Sequence, residues 1–174
     1  EDMAETFSFM MSDNNLILNM KVEINKKIPN FKVSVTGKTE LSSKDLLGKK
    51  VVIYFYPKDN TPGCTTEGEN FRDLYPQFKK LNAEIYGVSR ESIKSHEGFI
   101  EKFNFPFELI SDPEESLCNL FDVIKEKNMY GKKYMGIERS TFLIDEKGKL
   151  VREWRKVKVP GHAEEVLETI ISIS

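Results

Sequence analysis

Apolar residues fall along this chain in short runs that alternate with stretches of helical spacing. Residues 51–56 form a continuous apolar run of strand length, as expected for a strand buried on both faces. Apolar side chains then recur every three or four residues, which predicts a helix over roughly 63–80. The same pattern predicts further strands at 31–35, 85–88, 107–110, 141–144 and 150–154, and further helices near 43–47, 93–103, 114–121 and from about 162.

The order of these elements predicts an α/β fold with a central mixed β-sheet flanked by helices, since strands alternate with helices. The turn at 145–148 between the last two strands is typical of a β-hairpin. A Gly- and Lys-rich stretch at about 125–138 is interpreted as a loop. Residues 1–20 are interpreted as a polar N-terminal extension that is poorly ordered, and residues 21–174 as one folded domain.

Composition and charge exclude several classes of protein. With 174 residues, 39% of them hydrophobic, the chain can build one sizeable core, and its net charge of −2 predicts neither nucleic acid nor membrane as a partner. Two cysteines and two histidines are too few for a disulfide scaffold or a closed zinc site. An intracellular, reducing compartment is predicted. The cytoplasm is favoured, and the nucleus or an organelle stays open because the chain begins at Glu1.

Cys64 is the candidate for chemistry because of where the pattern places it. The segment 57–64 connects a strand to a helix, so Cys64 falls where unpaired N–H groups and the positive end of the helix dipole favour a thiolate. Thr61 lies three residues earlier, where its hydroxyl could cap the helix or hydrogen-bond the thiolate or an incoming oxygen. The alternative is a buried structural cysteine, and spacing alone does not decide between the two.

The segment 54–67, which reads YFYPKDNTPGCTTE, resembles the active-site segment of peroxiredoxins. It is most similar to the branch called bacterioferritin comigratory protein or peroxiredoxin Q. The resemblance continues through 109–112 (LISD) and 134–145 (YMGIERSTFLID) and covers roughly residues 22–172. It implies a thioredoxin-like fold and a thiol peroxidase that reduces hydrogen peroxide and organic hydroperoxides. No metal or organic cofactor is predicted, because the thiolate itself does the chemistry.

The resemblance also implies roles for single residues. Cys64 would be the peroxidatic cysteine, Thr61 and Arg139 would bind the peroxide oxygens, and Pro57 would shield the pocket. The permanently charged fork of Arg139 suits both a thiolate and a departing oxygen on which negative charge develops. Relatives are often monomeric, so a monomer is expected, with a weak homodimer as the alternative.

The sequence says less about how the oxidised Cys64 is returned to the thiol. Many members of this branch carry a resolving cysteine five residues after the peroxidatic one, where this chain has Glu69. The remaining candidate is Cys118, whose apolar neighbours favour a packed core residue over a resolving cysteine. A bridge would need the two Cα atoms to come within about 7 Å. A one-cysteine cycle is therefore predicted, in which thioredoxin, glutaredoxin or glutathione reduces the Cys64 sulfenic acid.

Two alternatives from other classes keep the scaffold and change the function. A non-catalytic, thioredoxin-like chaperone or binding module would tolerate loss of the peroxide-site residues, which are all present. A thioredoxin-type disulfide oxidoreductase would use Cys-x-x-Cys, whereas Cys64 is followed by Thr65, Thr66 and Glu67. His96, on a predicted helix, is interpreted as structural or exposed, since nothing places it near Cys64.

Overall fold

Nine strands and four α-helices make up the part of the protein that the structure describes. The computed structural model describes residues 20–174, so the predicted extension at 1–20 lies almost wholly outside the described residues. The strands are β1 (Lys32–Val35), β2 (Lys38–Ser42), β3 (Lys50–Phe55), β4 (Ala83–Ser89), β5 (Glu108–Ser111), β6 (Ile124–Met129), β7 (Lys132–Ile137), β8 (Ser140–Ile144) and β9 (Leu150–Trp154). The helices are α1 (Pro62–Lys80), α2 (Ile93–Phe103), α3 (Ser116–Leu120) and α4 (His162–Ile173), with a short 3₁₀ helix at Ser43–Leu46. Within residues 20–174, no helix is both long and apolar enough to cross a membrane.

Seven strands form one sheet in the order β2-β1-β5-β4-β3-β8-β9. β3 pairs in parallel with β4 and antiparallel with β8, so the sheet is mixed. All six residues of β3 are buried, which explains why those after Lys50 form a continuous apolar run rather than an alternating pattern. The predicted mixed sheet flanked by helices is confirmed.

Successive side chains of β3 point to opposite faces of the sheet and define two cores. Val52 and Tyr54 belong to the core that the sheet forms with α1, α2 and α4, and this core includes Cys64. Ile53 belongs to the core on the other face, which includes Cys118 of α3. The two cysteines of the chain therefore lie on opposite faces of the sheet.

Two strand regions were not predicted. β2 is an edge strand whose first three residues are exposed, so it lacks the apolar alternation by which a half-buried strand is recognised. The stretch interpreted as a loop at about 125–138 is mostly the antiparallel hairpin of β6 and β7, and the loop prediction was wrong. Tyr130 and Gly131 connect the two strands with φ angles of 52° and 83°, the left-handed conformations of a tight hairpin turn.

Candidate active site

The loop after β3 leads the chain into the first turn of α1. Asn60 adopts a left-handed backbone conformation with φ of 63°, and Thr61 is the N-cap residue. Pro62 is the first helical residue, where no intrahelical N–H bond is needed and the fixed φ of proline is already helical. Cys64 is therefore the third residue of α1, at the positive end of the helix dipole, as predicted from the sequence.

The structure brings Arg139 to Cys64 from a point 75 residues further along the chain. Arg139 lies in the short connection between β7 and β8, and its Nη2 donates to the Sγ atom of Cys64 over 3.4 Å. Cys64 is only 2% exposed. Gly63 leaves room for this approach, because a Cβ atom there would lie 3.2 Å from Arg139 Nη2. The thiol and the guanidinium thus form one compact unit at the start of α1.

Glu67 completes this unit and was missed in the sequence. Its Oε1 accepts a hydrogen bond from Arg139 Nη1 over 2.6 Å, whereas its Oε2 has no hydrogen-bond partner among the described residues. The side chain is 1% exposed, and burial raises the pKa of Glu67 to about 7 against the lowering effect of Arg139. The fork of Arg139 therefore joins the sulfur to a buried carboxyl group that changes charge near neutral pH. The spacing of three residues from Cys64 was the available signal, since it puts both side chains on one face of a helix.

A second buried network fixes the loop that carries Thr61. Asp59 accepts hydrogen bonds from Tyr56 (2.7 Å) and Ser95 (2.7 Å), and its Oδ2 lies 2.7 Å from Nδ1 of His96. The other ring nitrogen of His96 faces the carbonyl oxygen of Ile110 over 2.9 Å. A carbonyl only accepts hydrogen bonds, so this nitrogen carries a proton.

The protonation of this network follows from its partners. Burial raises the pKa of Asp59, but the bonds from His96, Tyr56 and Ser95 outweigh burial and lower it overall, so the group is a carboxylate. Both nitrogens of His96 then face oxygen atoms, Nε2 the Ile110 carbonyl and Nδ1 the Asp59 carboxylate. The interpretation of His96 as structural agrees with this geometry, but the histidine is fully buried and holds the loop before Cys64. Within residues 20–174, no group of three or more His, Cys, Asp or Glu side chains is arranged to hold a metal ion.

The structure gives less direct support for the predicted roles of Thr61 and Pro57. The hydroxyl of Thr61 donates to the carbonyl oxygen of Lys58 over 2.8 Å. It makes no capping bond to α1, so the predicted helix cap is not observed. No protein group among the described residues donates to this hydroxyl, and its role in binding peroxide stays a prediction. Pro57 is half-buried at the start of the loop, and its role in shielding the pocket stays a prediction.

Cys118 lies in surroundings that suppress thiol reactivity. It is fully buried within the core that α3 forms with the sheet. Burial, together with the nearby Asp112 carboxylate, raises the pKa of the Cys118 thiol far above its ordinary value. The backbone N–H of Cys118 donates to Asp112 Oδ2 over 2.7 Å, which ties the helix to the end of β5. Cys118 is therefore not part of the cluster around Cys64.

Known proteins resemble this chain over most of its length. The profile of the AhpC/TSA family matches residues 24–153. The peroxiredoxin Bcp of Xanthomonas campestris is 56% identical over 138 residues, which are 79% of this chain and 86% of that protein. The peroxiredoxin Bcp of Bacillus subtilis is 50% identical over 155 residues, 89% of this chain and 99% of that protein. A solved structure of the Xanthomonas campestris bacterioferritin comigratory protein superposes with a TM-score of 0.79 at 54% identity, covering 82% of this chain and 91% of that one.

The fold and these similarities define the class: the chain belongs to the AhpC/TSA family. Within that family it is similar to the peroxiredoxins named Bcp and peroxiredoxin Q, and it is a thiol-dependent peroxidase. The predicted thioredoxin-like fold and the predicted family are confirmed. Such an enzyme takes a peroxide as substrate and needs a reductant to complete its cycle.

Proposed function

We propose that Cys64 is the peroxidatic nucleophile, that Arg139 and Thr61 bind the peroxide, and that an external thiol reduces the oxidised cysteine in a one-cysteine cycle. The observation that carries this proposal is the contact of 3.4 Å between Arg139 Nη2 and Cys64 Sγ at the first turn of α1. It joins a nucleophile to a permanent positive charge at a helix N-terminus, which is the arrangement that activates a thiol.

The first step is a displacement at oxygen. The Cys64 thiolate attacks one peroxide oxygen, the S–O bond forms as the O–O bond breaks, and the other oxygen leaves and takes up a proton as water or an alcohol. Negative charge moves from the sulfur toward the departing oxygen. The Arg139 guanidinium therefore stabilises the thiolate before the step and the departing oxygen as the O–O bond breaks. The Thr61 hydroxyl already donates to Lys58, and it serves here as acceptor for the peroxide O–H.

The proposed substrates are hydrogen peroxide and organic hydroperoxides. The Xanthomonas campestris structure was reported for its alkyl peroxide reduction activity. Its 54% identity with this chain supports the same substrate class here. A monomer suffices for the first step, because every group assigned to it comes from one chain.

Three observations support reduction by an external thiol. Glu69 stands five residues after Cys64, is half-buried and lies 3.7 Å from Arg72. Cys118 lies in the core on the opposite face of the sheet from Cys64. Its thiol also has a strongly raised pKa, which disfavours the thiolate needed to attack a sulfenic acid. Thioredoxin, glutaredoxin and glutathione are the candidate reductants.

The test compares a Cys118→Ala variant with the wild type across these three reductants. Reduced protein is mixed with one equivalent of hydrogen peroxide, and the mass of the Cys64 peptide is followed before and after each thiol is added. We expect Cys118→Ala to form the sulfenic acid and to turn over like the wild type, and Cys64→Ser to consume no peroxide. Loss of turnover with every reductant, alongside intact sulfenylation, would instead assign the resolving role to Cys118.

A further inference from the structure

The hairpin of β6 and β7 stands outside the main sheet and ends next to the active site. The two strands pair only with each other among the described strands. The N–H of Glu138 donates to the carbonyl of Val123 over 2.8 Å and closes the base of the hairpin. Arg139 is the next residue, so the hairpin is joined directly to the guanidinium that contacts Cys64.

The register of the hairpin separates its side chains into two faces. Paired residues of an antiparallel ladder share a face, and successive residues alternate. One face, which we call the lysine face, carries three lysines and no acidic residue. It consists of Lys125, Lys127, Met129, Lys132, Tyr134 and Gly136. The opposite face carries Glu126 and Lys133, which form an ion pair of 3.6 Å, and at its base Ile137, which is fully buried.

Lys127 of the lysine face is coupled electrostatically to the active site. The aliphatic chain of Lys127 crosses Gly136, where a Cβ atom would lie 3.3 Å from Lys127 Cδ and 3.2 Å from the ring of Tyr134. Burial and the positive charge of Arg139 lower the pKa of Lys127, and Cys64 acts in the opposite sense. This coupling agrees with the chain connection, in which the hairpin closed by Glu138 leads directly into Arg139 and its contact with Cys64.

The chemistry of the lysine face differs from that of the chain as a whole. Among residues 20–174, Lys127 and Lys132 form no ion pair, whereas Lys125 lies 3.3 Å from Asp122. Met129 and Tyr134 are exposed between the lysines. The chain as a whole has a net charge of −2, so this is a local basic surface with apolar side chains on an acidic protein. A partner that complements it carries acidic groups around an apolar patch.

We propose that the lysine face is the docking surface for the protein that reduces Cys64, and that this partner is a small dithiol protein with an acidic rim around an apolar patch beside its reactive cysteine. This inference rests on the proposed one-cysteine cycle, in which the reductant must approach the surface next to Cys64. The partner thiolate attacks Cys64 Sγ, an S–S bond forms, the S–O bond breaks, and the oxygen leaves as water after taking up a proton. The second partner thiol then attacks the partner sulfur, which leaves an oxidised partner and a reduced Cys64.

Lys132 and Lys133 make a matched pair for the test, because they are neighbours on opposite faces of the hairpin. Lys132→Glu and Lys133→Glu change the net charge equally, and neither residue belongs to the peroxide site. The catalytic efficiency kcat/KM is measured for an acidic thioredoxin or glutaredoxin, whichever the wild type accepts, at low and high salt. Dithiothreitol replaces the protein reductant in a parallel assay, and the rate of Cys64 sulfenylation is measured in a single turnover.

We expect Lys132→Glu to lower kcat/KM for the protein reductant about fivefold or more at low salt, with the difference shrinking at high salt. Lys133→Glu should change it less than about twofold, since a rim charge facing away from the partner contributes little. Both variants should match the wild type with dithiothreitol and in sulfenylation. Equal effects of the two substitutions, no effect of either, or a wild type that accepts only glutathione would overturn the docking proposal. Failure of every external thiol would instead overturn the one-cysteine cycle.

Discussion

Arg139 offers the sharpest test of the active site, provided that catalysis is separated from folding. Removing Arg139 alone would leave the buried Glu67 carboxyl group without its hydrogen-bond donor, and an unsatisfied buried polar group costs a protein about 1–3 kcal/mol. The informative comparison is therefore Glu67→Gln against Glu67→Gln with Arg139→Met. The glutamine keeps an acceptor for Arg139 Nη1, so the single variant is the matched control for the double variant.

The magnitude follows from the distance between the guanidinium and the sulfur. Two unit charges 3.4 Å apart interact by about 5 kcal/mol at an effective dielectric constant of about 20. Part of this energy already stabilises the thiolate before reaction, so the transition state loses less than the whole. Loss of one well-placed donor at developing charge typically costs about 3–4 kcal/mol, which corresponds to a rate loss of about 10²- to 10³-fold.

The assay is a single-turnover reaction of reduced protein with excess hydrogen peroxide, quenched at intervals and read as oxidised Cys64 by mass spectrometry. Unfolding in denaturant, measured on the same samples, shows whether both variants are folded. We expect the double variant to be about 10²- to 10³-fold slower than Glu67→Gln at similar stability. A double variant within about threefold of the control would refute the argument that Arg139 stabilises the reacting sulfur and oxygen.

Two further predictions concern buried charges. Glu67 has a folded-state pKa of about 7 against an ordinary value of 4.5, so its contribution to stability is present in acid and is lost as the pH rises between these values. Denaturant unfolding of Glu67→Gln between pH 5 and 8 should therefore vary less with pH than that of the wild type, and an unchanged slope would contradict the raised pKa. Asp59→Ala should destabilise the protein by about 3 kcal/mol or more, because it removes at once the buried partner of His96, Tyr56 and Ser95. Ser95→Ala, which removes one bond to the same carboxylate, should cost only about 1 kcal/mol in the same unfolding experiment, and equal effects would argue against Asp59 as the centre of this network.

The parts of the fold that were predictable are those with a strong local pattern. β3 is buried along its length and forms one apolar run after Lys50, and α1 shows helical spacing after a proline suited to its first turn. The hairpin of β6 and β7 was not recognised because most of its side chains are at least partly exposed on both faces. An exposed ladder has no apolar alternation, and lysines at 125, 127, 132 and 133 look like a solvated loop.

The active site likewise combines residues that the sequence predicted with contacts that it did not. Cys64 and Arg139 could be named from motifs, but their contact depends on the pairing of β8 with β3, which brings the residue before β8 to the loop that leads into α1. The pairing of Asp59 with His96 joins residues 37 positions apart, and no local sequence pattern predicts it. Glu67 was within reach, because a spacing of three places it beside Cys64 on one helix face. What the sequence alone could not supply was its burial, which gives the carboxyl group its raised pKa.

The separation of the two cysteines in the fold bears on how the oxidised Cys64 is reduced. An internal bridge needs Cα atoms within about 7 Å, yet Cys64 and Cys118 pack against opposite faces of one sheet. Bringing them together would require α1 or α3 to leave its core, and α3 is further tied to Asp112 through the Cys118 N–H. A cysteine at position 69 would also need unwinding, because residues five apart on a helix are about 8.6 Å apart. Glu69 removes even that route, which supports the proposed reduction of the oxidised sulfur by a thiol from outside the chain. In the proposed cycle, the lysine face, with its exposed apolar side chains, would select the thiol protein that reduces Cys64.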